Sequence, residues 1–77
     1  MENVIEKLKE LRSHVEHELE YCNIVDTPYI CSAIHKTDQE KDQIINYIVE
    51  LVVKKGISIS MAIAETEFEL NPRFTNG

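Results

Sequence analysis

Aliphatic residues recur every three or four positions through most of this 77-residue chain, and that period is the one an α-helix needs to bury a stripe of side chains. From Glu2 to about Cys22 they fall at Val4, Ile5, Leu8, Leu11, Val15 and Leu19, with charges filling the gaps, which predicts one long amphipathic helix. Positions 4, 8, 11 and 15 fit a coiled-coil seam, but the next seam position is Glu18. A packed helix is therefore expected rather than an extended coiled coil.

Local chemistry punctuates the rest. Asp26 or Thr27 can cap a helix whose first position is Pro28, where a missing N–H costs nothing, giving a short helix from about Pro28 to Ile34. Thr37 and Glu40 stand in capping-box spacing and launch a helix over Asp38 to Lys55. Its Ile44, Ile45, Ile48, Val49, Leu51, Val52 and Val53 cover more than one stripe, so it should be central. Lys54 and Lys55 suit the negative end of the helix dipole, and Gly56 supplies a left-handed stop. Ser58 or Ser60 opens a last helix that should end near Leu70, because Asn71 precedes Pro72. The expected fold is all-α, a small four-helix domain spanning residues 1–77: a long N-terminal helix, a short helix, a central apolar helix and a C-terminal helix, with 71–77 as a short tail.

Composition narrows the function. With 43% hydrophobic and 29% charged residues the chain should fold as one domain, though its core must be thin at this length. No apolar run approaches a membrane span, and the first residues lack a secretion signal, so a cytoplasmic protein is expected, with Cys22 and Cys31 as reduced thiols. The net charge of −6 and the scatter of eight basic residues leave no patch for a phosphate backbone. Two glycines, Gly56 and Gly77, are too few for a nucleotide-binding loop.

Residues 54–74, KKGISISMAIAETEFELNPRF, carry a basic pair, a turn glycine and a helical pattern, the ingredients of a helix-turn-helix. A reading helix lies between rows of phosphates, however, and this one carries Glu65, Glu67 and Glu69. A packing helix with an acidic edge is the preferred reading, and direct nucleic-acid binding is not expected. The helix also has two apolar rows: Ile59, Ile63 and Leu70 on one side, Met61, Ala64 and Phe68 on another. Burying both requires a tail that wraps back, with Phe74 over Phe68, or a second molecule. Met61, Ala64, Glu65, Phe68, Glu69 and Phe74 are accordingly the candidate partner-binding residues, the partner being a protein target, and a homodimer is also expected.

Other constellations are weaker. His14 and His17 lie one turn apart near Glu10 and Glu18, and Cys22, Cys31, His35 and His17 include zinc-type ligands, but the cysteine spacing lacks a tight knuckle. A cysteine nucleophile with His35 as base and Asp26 as its orienter has no evident oxyanion site. No cofactor, metal or catalytic residue is assigned. The stretch DQEKDQIIN, residues 38–46, resembles the second-helix signature of the small sporulation-associated aspartyl-phosphate phosphatases, which are helical hairpins, and IEKLKELR resembles their first helix. Gln39, Glu40 and Asp42 match that pattern; Asp38 stands for its serine and Lys41 for its leucine, the connecting loop is longer, and the chain from Gly56 onward has no counterpart. The resemblance implies a phosphatase-like regulator as an alternative. The favoured reading is a small acidic protein–protein interaction module, a regulator or inhibitor of bacterial or phage origin, with a helix-turn-helix DNA binder as the other alternative. The acidic rows Glu2, Glu6, Glu10, Glu16 and Glu20 of the first helix, with Glu65 and Glu69, are compatible with mimicry of DNA phosphates.

Overall fold

A computed structural model of the chain describes residues 2–21 and 25–75. Five helices follow one another: α1 (Glu2–Glu20), α2 (Pro28–Ile34), α3 (Asp38–Lys55), α4 (Ile59–Leu70) and α5 (Pro72–Thr75), with no strand among the described residues. The all-α domain built on four main helices is therefore as expected. Within the segment 71–77 expected as a tail, Pro72–Thr75 forms the single turn α5, and residues 76–77 lie outside the described residues.

The helix boundaries are set by the residues that local chemistry singles out. Pro28 opens α2, Thr37 Oγ1 accepts the Glu40 N–H at 3.0 Å at the start of α3, and Ser58 Oγ accepts the Met61 N–H at 3.2 Å at the start of α4. Gly56 ends α3 in the left-handed region at φ +66°, its N–H donating to the Val52 carbonyl. Asn71 is extended, as a residue before proline should be.

α3 is the axis of packing and meets α1, α2 and α4. Its Ile44, Ile45, Ile48 and Val49 form the core with Val15 and Leu19 of α1, Ile30 and Ala33 of α2 and Ala62 of α4. α1 runs antiparallel to α3: Arg12 donates to Asp42 Oδ1 at 2.8 Å and to Asn46 Oδ1, and Lys41 meets Glu16 at 3.2 Å one turn away. Cys31 is disulfide-bonded, which corrects the expectation of a reduced thiol at that position. The sequence's other cysteine, Cys22, lies outside the described residues. Because a disulfide sulfur carries no hydrogen, the Thr27 hydroxyl is the donor in its 3.6 Å contact with Cys31 Sγ.

α4 departs most from the sequence reading. Its fully buried residues are Ala62 and Thr66, and the Thr66 hydroxyl is satisfied by donating to the Ala62 carbonyl one turn back at 2.7 Å. Glu67, expected on an exposed acidic edge, is only 3% exposed. Its carboxylate accepts the backbone N–H groups of Tyr29 at 3.0 Å and Ile30 at 2.9 Å, and the Asn71 side-chain amide at 2.6 Å. The N-terminus of α2 presents unpaired N–H groups that Thr27 does not cap with its side chain, so a carboxylate from α4 takes that part. A buried charge is tolerated because three donors converge on it.

Candidate partner-binding surface

Face and back of α4 are separated by the packing of the helix. Ile59, Ile63 and Leu70 are half-buried against the core. Met61, Ala64 and Phe68 point the opposite way and are exposed, Met61 at 57% and Phe68 at 61%. Of the two expected apolar rows, one is packed and one is left to solvent.

α5 brings a third large side chain to the exposed row. Asn71 ends α4 and starts α5: its N–H donates to the Glu67 carbonyl at 3.0 Å, its side-chain oxygen accepts the Arg73 N–H at 2.9 Å and its carbonyl accepts the Phe74 N–H at 3.0 Å. Held by this turn, Phe74 stacks on Phe68 with ring centroids 5.2 Å apart and planes 16° apart. Phe74 does fold back over Phe68, as one reading of the sequence required. The cover is incomplete, since both rings remain exposed and Met61 lies beyond it.

Beside the stacked rings runs an open groove of about 300 Å3, lined by Ala64, Phe68 and Phe74 with Asp26, Thr27, Ser60, Ile63 and Glu67. Ala64, Phe68 and Phe74 thus share one feature. Glu65 is half-buried to the side, paired with Lys55 at 3.0 Å, and Glu69 is exposed on that same side. Neither glutamate lines the groove. Sequence reasoning missed Ser60, although it continues the Ala64–Phe68 row at four-residue spacing. Asp26 and Thr27 come from another part of the chain, and no local pattern pairs them with α4. A second groove, of about 310 Å3, lies between α2 and α3 and was also missed; Tyr29, Tyr47, Glu40, Gln43 and Leu70 are among its walls.

The other expected constellations are placed as follows. Lys54 pairs with Glu50 at 2.6 Å and Lys55 with Glu65, so both members of the basic pair are engaged within the protein. The hydrogen bonds that the two ammonium groups donate to Glu50 and Glu65, and then the negative charge of those carboxylates, raise both above the ordinary lysine value of 10.5. His14 and His35 are exposed, and His17 is exposed with its ring edge-on to Tyr21 and its Nδ1 3.9 Å from Glu20. Among the described residues no group of three or more His, Cys, Asp and Glu side chains could hold a metal ion. In the phosphatase-like stretch, Gln39 is exposed, Glu40 lines the second groove and Asp42 is held by Arg12. α2 stands between α1 and α3, so the two helices are not a simple hairpin. No helix among the described residues is long and apolar enough to cross a membrane.

No protein-family model, curated protein or solved structure matches the chain.

Proposed function

We propose that this protein acts by binding another protein through the exposed face of α4 and α5, as a small regulator or inhibitor of bacterial or phage origin, without catalysing a reaction. The observation that carries this reading is the Phe68–Phe74 stack. Two aromatic rings are held parallel and exposed beside an apolar groove, on a helix whose opposite face is already packed. Aromatic side chains with few rotatable bonds, seated beside a groove, are the residues that dominate measured protein–protein binding energies. Met61 and Ala64 extend the surface along the helix, while Glu65 and Glu69 line its edge and favour a partner with basic residues around an apolar anchor.

DNA reading is less well supported, because Lys54 and Lys55 already face Glu50 and Glu65. For the phosphatase-like alternative, Asp42 is committed to Arg12 and Asn46 is shared with the same guanidinium. The cytoplasmic setting expected from the sequence sits uneasily with the disulfide at Cys31, since cytosolic thiols are kept reduced. Trapping thiols in cells before lysis decides which state the working protein has.

The test is calorimetric titration of a partner isolated from the native host against the wild-type protein and Phe68→Asp. Placing a charge in the stack should raise the dissociation constant by about 30-fold or more, as expected for a hot-spot residue. Unchanged affinity with a folded variant would remove this face from the function.

A further inference from the structure

The groove between α2 and α3 shares no lining residue with the one beside the stacked rings, and its chemistry is different. Its α3 wall is one helical stripe, Glu40, Gln43, Ile44 and Tyr47, at three- and four-residue spacing. Its α2 wall is Tyr29, with Ala33 one turn further on. Buried Ala33 and Ile44 and half-buried Leu70 make the groove apolar inside, while a tyrosine stands on each of the two helices. Tyr29 is anchored through its backbone, whose N–H donates to Glu67 at 3.0 Å.

Glu40 is the group that this setting leaves unsatisfied. Only half of the capping box forms: Thr37 Oγ1 accepts the Glu40 N–H at 3.0 Å, but the Glu40 carboxylate makes no hydrogen bond or ion pair with the described residues. The side chain is nevertheless half-buried, and no lysine, arginine or histidine among the described residues lines the groove. Neighbouring Lys41 is turned to Glu16 at 3.2 Å, and Lys55, within electrostatic reach of Tyr47, is engaged by Glu65 at 3.0 Å. Lys36 borders a separate hollow with Thr37 and Asp38. A carboxylate drawn partly out of water without a partner carries a cost that a bound cation would offset.

Size, aromatic walls and charge together select the occupant. At about 310 Å3 the groove is at the lower end of the range for ligand sites, which suits one side chain rather than a nucleotide or a folded element. Tyrosine faces attract cations, and arginine more often than lysine, because the guanidinium is planar and weakly hydrated. The same planar fork can donate to both oxygens of a carboxylate, and the Gln43 amide offers a further acceptor. Free arginine is a poorer match, since no cationic group lines the groove to meet its α-carboxylate, which would face the charge of Glu40.

We propose that the α2–α3 groove binds an arginine side chain presented by a partner protein, with Glu40 pairing the guanidinium, Tyr29 and Tyr47 flanking it and Gln43 accepting one further N–H. This site does not depend on the α4–α5 face. The net charge of −6 favours the approach of a basic segment to it.

NMR titration of the isotope-labelled protein tests this, with N-acetyl-arginine methylamide as the probe and its citrulline counterpart, the same shape without the charge, as the comparison. The arginine probe should give saturable shifts at Tyr29, Glu40, Gln43 and Tyr47 with millimolar affinity, and the citrulline probe should bind several-fold more weakly. Free arginine should also bind more weakly than the blocked probe. Glu40→Gln, which keeps the Thr37 cap, should remove the preference for arginine over citrulline while the circular dichroism spectrum stays that of wild type. Tyr47→Leu should weaken binding several-fold, and Phe68→Asp should leave it unchanged. Absence of saturable shifts at these residues, equal affinity for the arginine and citrulline probes in wild type, or a preference that survives Glu40→Gln would overturn the proposal. Tighter binding of free arginine would overturn it as well, and would make the groove a site for the free amino acid.

Discussion

Asn71 and Glu67 are joined twice, once through the backbone, where the Asn71 N–H closes the last turn of α4, and once through the side chains at 2.6 Å. The same asparagine accepts from Arg73 and Phe74, so a single buried residue connects the carboxylate that caps α2 to the turn that carries Phe74. Structural support and the exposed aromatic pair are thereby linked.

Asn71→Ala should loosen α5 and release Phe74 from Phe68 while the four main helices persist. It removes one donor from Glu67 and one acceptor from Arg73, and should cost about 1–3 kcal/mol. Proton NMR would show the Phe68 ring resonances moving towards free-phenylalanine positions. Unchanged ring shifts would show that Asn71 does not hold the stack.

Glu67→Gln is the sharper test of the buried carboxylate. Of its two oxygens, one accepts from Ile30 and the other from Tyr29 and Asn71, so an amide nitrogen at either position meets a donor. A loss of about 2–3 kcal/mol is expected from the resulting buried mismatch, read as a lower urea midpoint. A neutral effect would mean that the carboxylate is not what satisfies α2.

The boundaries of these helices were legible because each is decided within a few residues: Pro28, Thr37, Ser58 and the Asn71–Pro72 pair act on their immediate backbone. Glu67 was not. It reads as one more glutamate in an acidic run, and its burial depends on N–H groups 37 and 38 positions away. The engagement of Lys55 by Glu65 across the α3–α4 turn was hidden for the same reason, and so was the state of Cys31. The exposed row was legible, because helical spacing alone separates Met61, Ala64 and Phe68 from Ile59, Ile63 and Leu70. Its groove was not, since Asp26 and Thr27 arrive from the approach to α2.

Gly56→Ala isolates a backbone effect. A methyl group there would meet nothing within 4 Å, so the penalty comes only from holding an L-residue at φ +66°. About 1 kcal/mol of stability should be lost. A markedly larger loss would point to a contact that the geometry does not contain.

Lys54 and Lys55 give a signed pH dependence. Both titrate above their ordinary value of 10.5 in the folded protein, so their favourable contribution is complete below that pH and is lost as pH rises through the folded values. Glu50→Gln/Glu65→Gln should flatten that alkaline limb of the stability curve. At neutral pH the same pairing leaves the protein without free lysines at the turn, and no duplex DNA shift is expected at physiological salt.

Thiol titration of the denatured chain should find no free thiol before reduction and two afterwards, given the disulfide at Cys31 and the two cysteines of the sequence. Reduction should lower the melting temperature. Two reactive thiols without reductant would contradict the bond.

The proposed function places a protein partner on the α4–α5 face. Photo-crosslinking in the native host tests it directly, with a benzophenone amino acid replacing Phe68 in one strain and His14, on the exposed face of α1, in another. A discrete protein adduct is expected from position 68, disappearing when Met61→Asp is added, and none from position 14. An adduct from position 14 alone, or one from position 68 that survives Met61→Asp unchanged, would contradict it.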